Sequence, residues 1–214
     1  MNILQVIPEL DAGGAERTTL EVAEAVIAVG GQAFVASQGG RLEGELEAMG
    51  GELIRLPAAS KNPVTIWRNA ARLCDIIRAE DIDLVHARSR APAWSAYRAA
   101  RRTGTPFVTT YHGTYNARSG LKRWYNSVMA HGDVTIANSR FIADHVAREH
   151  AALAPRIEVI ARGVDLDRFD PVRVELARAL AMRESWQIPE GSPVLLLPAR
   201  LTRWKGQSVA IEAL

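Results

Sequence analysis

Short apolar runs alternate along the chain with longer stretches in which apolar residues recur every three or four positions. Residues 2–7 have few polar side chains among the apolar ones and predict a buried strand. Residues 8–14 break the pattern. Residues 15–29 then predict a helix, with Leu20, Ala23 and Ile27 at helical spacing and Gly30-Gly31 as its stop. The same reading places strands at 32–37, 52–56, 83–86, 106–111, 133–137 and 157–160. It places helices at 42–49, 63–79, 92–102, 120–130 and 141–149.

Repeated strand–helix units predict an α/β fold, an open doubly wound parallel sheet of the Rossmann type. A closed eight-stranded barrel is the rival, disfavoured because only about seven strands fit before Pro171. Ligands of such sheets bind at the carboxyl ends of the strands. The loops to watch are therefore 8–14, 38–41, 86–90, 112–116, 138–140 and 162–165. After Phe169-Asp170-Pro171 the pattern changes. Residues 172–187 predict a polar-faced connecting helix, 194–197 a fresh apolar strand, 200–206 its loop and 207–214 a further helix. The expected organisation is a first domain at 1–171, a linker at 172–192 and the start of a truncated second domain at 193–214. One strand–helix unit does not bury its own faces, so a piece of a longer protein is expected.

Composition narrows the class. In 214 residues, 48% are hydrophobic and 23% charged, which excludes a disordered chain. The single cysteine, Cys74, excludes a disulfide-stapled scaffold. No apolar run approaches the roughly 18 residues of a membrane span. The first residues lack the pattern of a signal peptide. A cytoplasmic location is expected.

The formal net charge of +2 hides an uneven distribution: −6 over residues 1–60, +8 over 61–125 and zero over 126–214. No nucleic-acid motif accompanies the basic middle third, so a nucleic-acid partner is not expected. Its cations sit beside aromatic residues, Arg68 and Arg72 near Trp67, and Lys122 and Arg123 next to Trp124 and Tyr125. That combination suits an anionic membrane surface, with peripheral contact on the inner face as the expectation. A solvated face or a site for a phosphorylated acceptor would carry the same residues.

Four loop motifs carry the candidate chemistry. Gly13-Gly14-Ala15-Glu16-Arg17 lies at a strand-to-helix turn, where glycine permits close backbone approach and the helix N-terminus favours anions. Tyr111-His112-Gly113 puts a histidine at the carboxyl end of a strand. Ile157-Glu158-Val159-Ile160-Ala161-Arg162-Gly163-Val164-Asp165-Leu166-Asp167-Arg168-Phe169 is the third. Pro198-Ala199-Arg200-Leu201-Thr202-Arg203-Trp204-Lys205-Gly206 sets cations between a strand and a helix, an arrangement suited to a diphosphate.

In this order the motifs resemble those of glycosyltransferase family 4, retaining enzymes of the GT-B fold, over essentially the whole chain. The resemblance implies transfer of a sugar, with retention, from a nucleotide-diphosphate sugar to an acceptor in the cleft between two Rossmann-like domains. An envelope polysaccharide or glycolipid precursor, glycan or lipid-linked, is the acceptor it implies. No metal and no other cofactor is expected. Arg200 and Lys205 match the family's cations on the donor diphosphate, where negative charge grows as the glycosidic bond breaks. Gly13 and Gly14 match its glycine loop, and His112 the histidine near the donor sugar. Ser139 matches a helix start that lines the cleft, and Gly163 and Asp165 match the third motif.

Two departures stand out. Arg162 takes the place of the family's usual asparagine. The Glu-x7-Glu segment that grips the donor lies beyond Leu214 in the family pattern, so this chain alone is expected to be inactive. A rival reading is an acceptor- or membrane-binding half of a two-polypeptide glycosyltransferase. A nicotinamide-dependent dehydrogenase is disfavoured, because the first turn lacks Gly-x-Gly-x-x-Gly and Gln38 stands after the second strand.

Overall fold

A computed structural model describes residues 1–115, 119–167 and 169–214, so Asn116 of one flagged loop and Arg168 of the third motif lie outside the described residues. The chain divides into two compact units, Met1–Gly163 and Val164–Leu214. The expected boundary at residue 171 falls inside the second.

The first unit contains β1 (Asn2–Val6), α1 (Gly14–Ala28), β2 (Gln32–Ser37), α2 (Glu43–Ala48), β3 (Glu52–Arg55) and α3 (Pro63–Ala79). It continues through β4 (Leu84–Ala87), α4 (Arg90–Thr103), β5 (Phe107–Tyr111), α5 (Gly120–Ser127), β6 (Val134–Ala137), α6 (Arg140–Glu149) and β7 (Ile157–Val159). All strand pairs are parallel, in the order β3-β2-β1-β4-β5-β6-β7. The sheet is the predicted open, doubly wound one. In register, Leu4 of β1 sits between Phe34 of β2 and Val85 of β4.

Both faces are buried, which is why the inner strands are apolar at successive positions. Leu4, Val6, Phe34 and Ala36 point to one core, shared with Leu73 and Ile77 of α3 and Ala96 and Ala100 of α4. Ile3, Ala33 and Val35 point to the other, shared with Leu20, Ala23 and Val26 of α1. Local signals set the helix ends. Asn62 caps α3 by accepting from Val64 N at 2.9 Å, with Pro63 in the first turn. Gly104, in the left-handed region at φ +75°, ends α4. The predicted helix at 120–130 stops at Ser127 and tightens into a 3₁₀ turn, Val128–Ala130.

The loops after β1 and β2 are tied together. Leu10 N donates to Gly39 O and Leu42 N to Leu10 O, both at 2.9 Å. Gly40 makes this crossing with φ +155°, and a Cβ there would lie 2.5 Å from the Leu10 carbonyl. The chain winds outward from β1 to β3, then returns to place β4 on the other side of β1. That reversal opens a crevice at the carboxyl ends of β1 and β4.

The second unit holds α7 (Leu176–Ser185) and α8 (Gln207–Glu212). The strand expected at 194–197 is not formed. Leu195 and Leu196 are 71% and 66% exposed, and no neighbouring strand in the described residues offers a hydrogen-bonded ladder. An apolar run without a partner strand does not satisfy its backbone as a strand.

Candidate active site

The site is built by loops at the carboxyl ends of β1, β4, β5 and β7. The loop after β1 delivers Gly13 and Gly14. No side-chain hydrogen bond caps α1, and the carboxylate of Glu16 in its first turn lies against Gly13, where it meets the positive end of the helix dipole. Arg88 follows β4, His112 follows β5, and Arg162 follows β7.

Arg162 joins two of these loops. Its guanidinium lies against Gly14 so closely that a Cβ at that position would collide with Nη1. The same guanidinium meets His112 Nδ1 through Nη2 at 2.9 Å. Guanidinium only donates, so Nδ1 is the acceptor and the neutral ring carries its proton on Nε2. Burial, and then the cations of Arg88 and Arg162, push His112 down to about 3, while the Arg88 backbone acts the other way. The ring is neutral at physiological pH.

Arg88 is only 3% exposed. It donates from Nη1 to Gln5 Oε1 at 3.1 Å, and Gln5 is in turn fixed by its Nε2 donating to Thr19 O at 2.9 Å. Burial and the Arg162 charge push Arg88 down to about 10, with Glu21 acting in the opposite direction. Arg88 Nε and His112 Nε2 are both buried without a hydrogen-bond partner among the described residues. Neither Arg88 nor Arg162 forms an ion pair with a carboxylate among the described residues. Behind them, buried His86 shares a 2.7 Å hydrogen bond with Thr110 Oγ1 and is held well below the usual histidine range, first by burial and then by Arg88 and His112.

Ser139 sits at the start of α6, where its hydroxyl caps the helix by accepting from Ile142 N at 3.3 Å. Its neighbour Asn138 donates to the His112 carbonyl at 3.2 Å. Of the predicted residues, Gly14 and His112 thus converge through Arg162, with the Ser139 loop attached to the His112 backbone. Gly13 is the extended N-cap of α1, and Gly163 is open to solvent.

Asp165, Arg200 and Lys205 belong to the second unit. There Asp165 Oδ1 accepts from Asp167 N at 3.0 Å, and the Arg200 carbonyl accepts from Gln207 Nε2 at 2.9 Å. Lys205 N donates to Thr202 O at 2.9 Å in a 3₁₀ turn ahead of α8. Leu201, Thr202, Arg203, Gln207 and Ser208 line a shallow cavity beside that turn.

Sequence reasoning passed over Arg88 and Gln5. Their signals were present: a polar residue inside an apolar strand, and an arginine directly after a strand at the ligand-binding edge. No group of three or more metal-ligating side chains occurs among the described residues.

The profile described as Glycosyltransferase Family 4 matches residues 12–168. The chain belongs to glycosyltransferase family 4. A glycosyltransferase from Rickettsia africae superposes with a TM-score of 0.85 at 40% identity, over 99% of this chain and 56% of that one. A D-inositol 3-phosphate glycosyltransferase from Xylanimonas cellulosilytica is 30% identical over 145 residues, covering 62% of this chain and 35% of the relative. HepE from Anabaena, solved with UDP-glucose, superposes with a TM-score of 0.76 over 100% of this chain and 57% of that one. Its 18% identity bears on the fold alone. The family 4 chain described here spans about a third to little more than half of these relatives' lengths.

Proposed function

We propose that this family 4 chain is the acceptor-side part of a retaining glycosyltransferase that draws its sugar from a nucleotide-diphosphate donor. An envelope polysaccharide or glycolipid precursor is the acceptor class, and the reaction takes place on the cytoplasmic side. The observation that carries the reading is the cluster at the carboxyl ends of the strands. Two arginines without a carboxylate ion pair among the described residues and the N-terminus of α1 lie around a neutral histidine. Such a site suits an anion placed next to a neutral, hydroxyl-rich group. In this reading His112 faces the donor sugar, and Arg200 and Lys205 hold the diphosphate from the second domain.

The test is to join the chain to a complete second domain of a family 4 relative and to follow sugar release from nucleotide sugars with a phosphorylated or lipid-linked acceptor. Transfer is expected from the joined protein and none from the 214-residue chain alone. Turnover by the chain alone, or a product with inverted anomeric configuration, would overturn the reading. Activity restored by a separate polypeptide would favour the two-polypeptide alternative.

A second feature favours peripheral membrane contact. Trp67 on α3 and Trp124 on α5 are 55% and 58% exposed, and Val64 and Leu121 beside them are exposed as well. Both helices adjoin α4. Ser95 Oγ donates to Ile66 O at 3.1 Å, and the Trp94 ring stacks on Trp124 at 4.8 Å. Lys61, Arg68, Lys122 and Arg123 are exposed on the same two segments. No helix among the described residues is long and apolar enough to cross a membrane. Each exposed cation near an anionic surface contributes about 1 kcal/mol, so binding is expected to be modest and salt-sensitive. Co-sedimentation with phosphatidylserine vesicles should fall at high salt and in a Trp67→Ala/Trp124→Ala variant. Binding that ignores lipid charge would remove this part of the proposal.

A further inference from the structure

We propose that Arg162 is the positioning residue for His112: its guanidinium fixes the ring as the Nε2–H tautomer, so that His112 serves as a neutral hydrogen-bonding group and not as a proton shuttle. The function of that ring rests on the glycosyltransferase reading above, whereas its tautomer does not.

The argument begins with chemistry. Imidazole presents one donor and one acceptor nitrogen when neutral, and the hydrogen bond made by one nitrogen dictates the other. Arg162 has no acceptor, and its Nη2 stands 2.9 Å from Nδ1. With a proton on Nδ1, two donors would face each other at that distance. On its other side the guanidinium lies against Gly14, the one residue type that leaves room for it. Any side chain at position 14 would push Arg162 away from the ring. A glycine in the first turn of α1 and an arginine after β7 are thus two halves of one device. An asparagine at position 162 would have both donor and acceptor atoms, and so would not impose a single tautomer in this way.

The surroundings point the same way. The charged groups facing the ring are Arg88 and Arg162, with neutral His86 packed behind, and no carboxylate pairs with His112 among the described residues. A second proton on the ring would add a third cation to this cluster. Nε2 and Arg88 Nε are both buried without a hydrogen-bond partner among the described residues, and the Arg88 backbone lies near enough to favour a proton on the ring. Relay of a proton across the His112 ring, which needs the Nδ1 lone pair, therefore requires Arg162 to leave.

The experiment uses the 214-residue chain labelled with ¹⁵N in its histidine rings, without substrate, at neutral pH. Nitrogen chemical shifts distinguish a lone-pair nitrogen from an N–H nitrogen. A His112→Gln variant identifies the His112 signals among the five histidines. In the unaltered chain, Nδ1 is expected to carry the lone pair. In Arg162→Met, loss of a hydrogen bond from a charged donor should raise the Nδ1–H to Nε2–H ratio by about tenfold or more. Arg162→Lys, which keeps a cationic donor, should restore the original ratio. Arg162 is exposed, so these variants are expected to keep the fold, which far-UV circular dichroism checks. An Nδ1–H ring in the unaltered chain overturns the proposal. So does an unchanged ratio in Arg162→Met, or a failure of Arg162→Lys to restore it. A failure to transfer sugar would count against the functional reading and leave this result standing.

Discussion

Lys205→Ala, placed in a protein that joins this chain to a complete second domain, is expected to lower kcat by about 10²–10³-fold. Negative charge grows on the leaving diphosphate as the glycosidic bond breaks, and a cation aimed at it contributes more in the transition state than in the ground state. The same cation meets the diphosphate before reaction, so nucleotide binding should weaken too. His112→Ala should behave differently. Its neutral ring faces the sugar in the proposed arrangement, so kcat falls while the affinity for free nucleoside diphosphate stays nearly unchanged. Steady-state kinetics together with nucleotide titration separate the two variants. Equal loss of nucleotide affinity in both would defeat the assignment of roles. Intact kcat in Lys205→Ala would defeat the proposed contact with the leaving group.

Phe107→Ala should cost the first unit about 3–5 kcal/mol of stability. Phe107 opens β5, is 0% exposed, and packs in the larger core with its ring 5.7 Å from that of Tyr97. β5 lies between β4 and β6, so the cavity would open in the middle of the sheet, where backbone pairing on both sides resists collapse. Domains of this size are stable by about 5–15 kcal/mol, so the variant should be partly unfolded or melt far lower. Urea denaturation followed by circular dichroism measures this. A loss below about 1 kcal/mol would mean that Phe107 is not the core residue described, since cavities of this kind rarely cost so little.

Much of the fold was legible in the chain because its determinants are local. Short apolar runs marked the seven strands of the first unit, and helical spacing marked α1. Asn62 and Gly104 set helix ends through chemistry that operates within one turn, a local signal beyond periodicity. A parallel sheet puts the loops at the carboxyl ends of its strands on one edge. The resemblance to family 4 marks His112 and Gly14 on those loops, and Arg162 lies against both.

The run at 194–197 shows where periodicity stops being informative. Four apolar residues have the composition of a buried strand, but a strand is a relation between two segments, and no partner is present among the described residues. The aromatic residues of the basic third are a related case. A tryptophan on a helix has the same one-letter signature in a core and on a surface, and only packing left Trp67 and Trp124 half open.

The sequence by itself determined the α/β class, the parallel sheet and the chemical types available at its ligand edge, because each follows from short-range sterics and burial. The tertiary structure decided what those types do. Placing β4 beside β1 buries Arg88 and hands it to Gln5, 83 positions away in sequence. Placing β7 at the far edge brings Arg162 back across 50 positions to His112 and into the space left by Gly14. In the linear chain Arg162 was only a departure from the usual asparagine. Folded, it is a donor-only cation against an imidazole nitrogen, and a hydrogen bond of that kind depends on distances that no local propensity encodes.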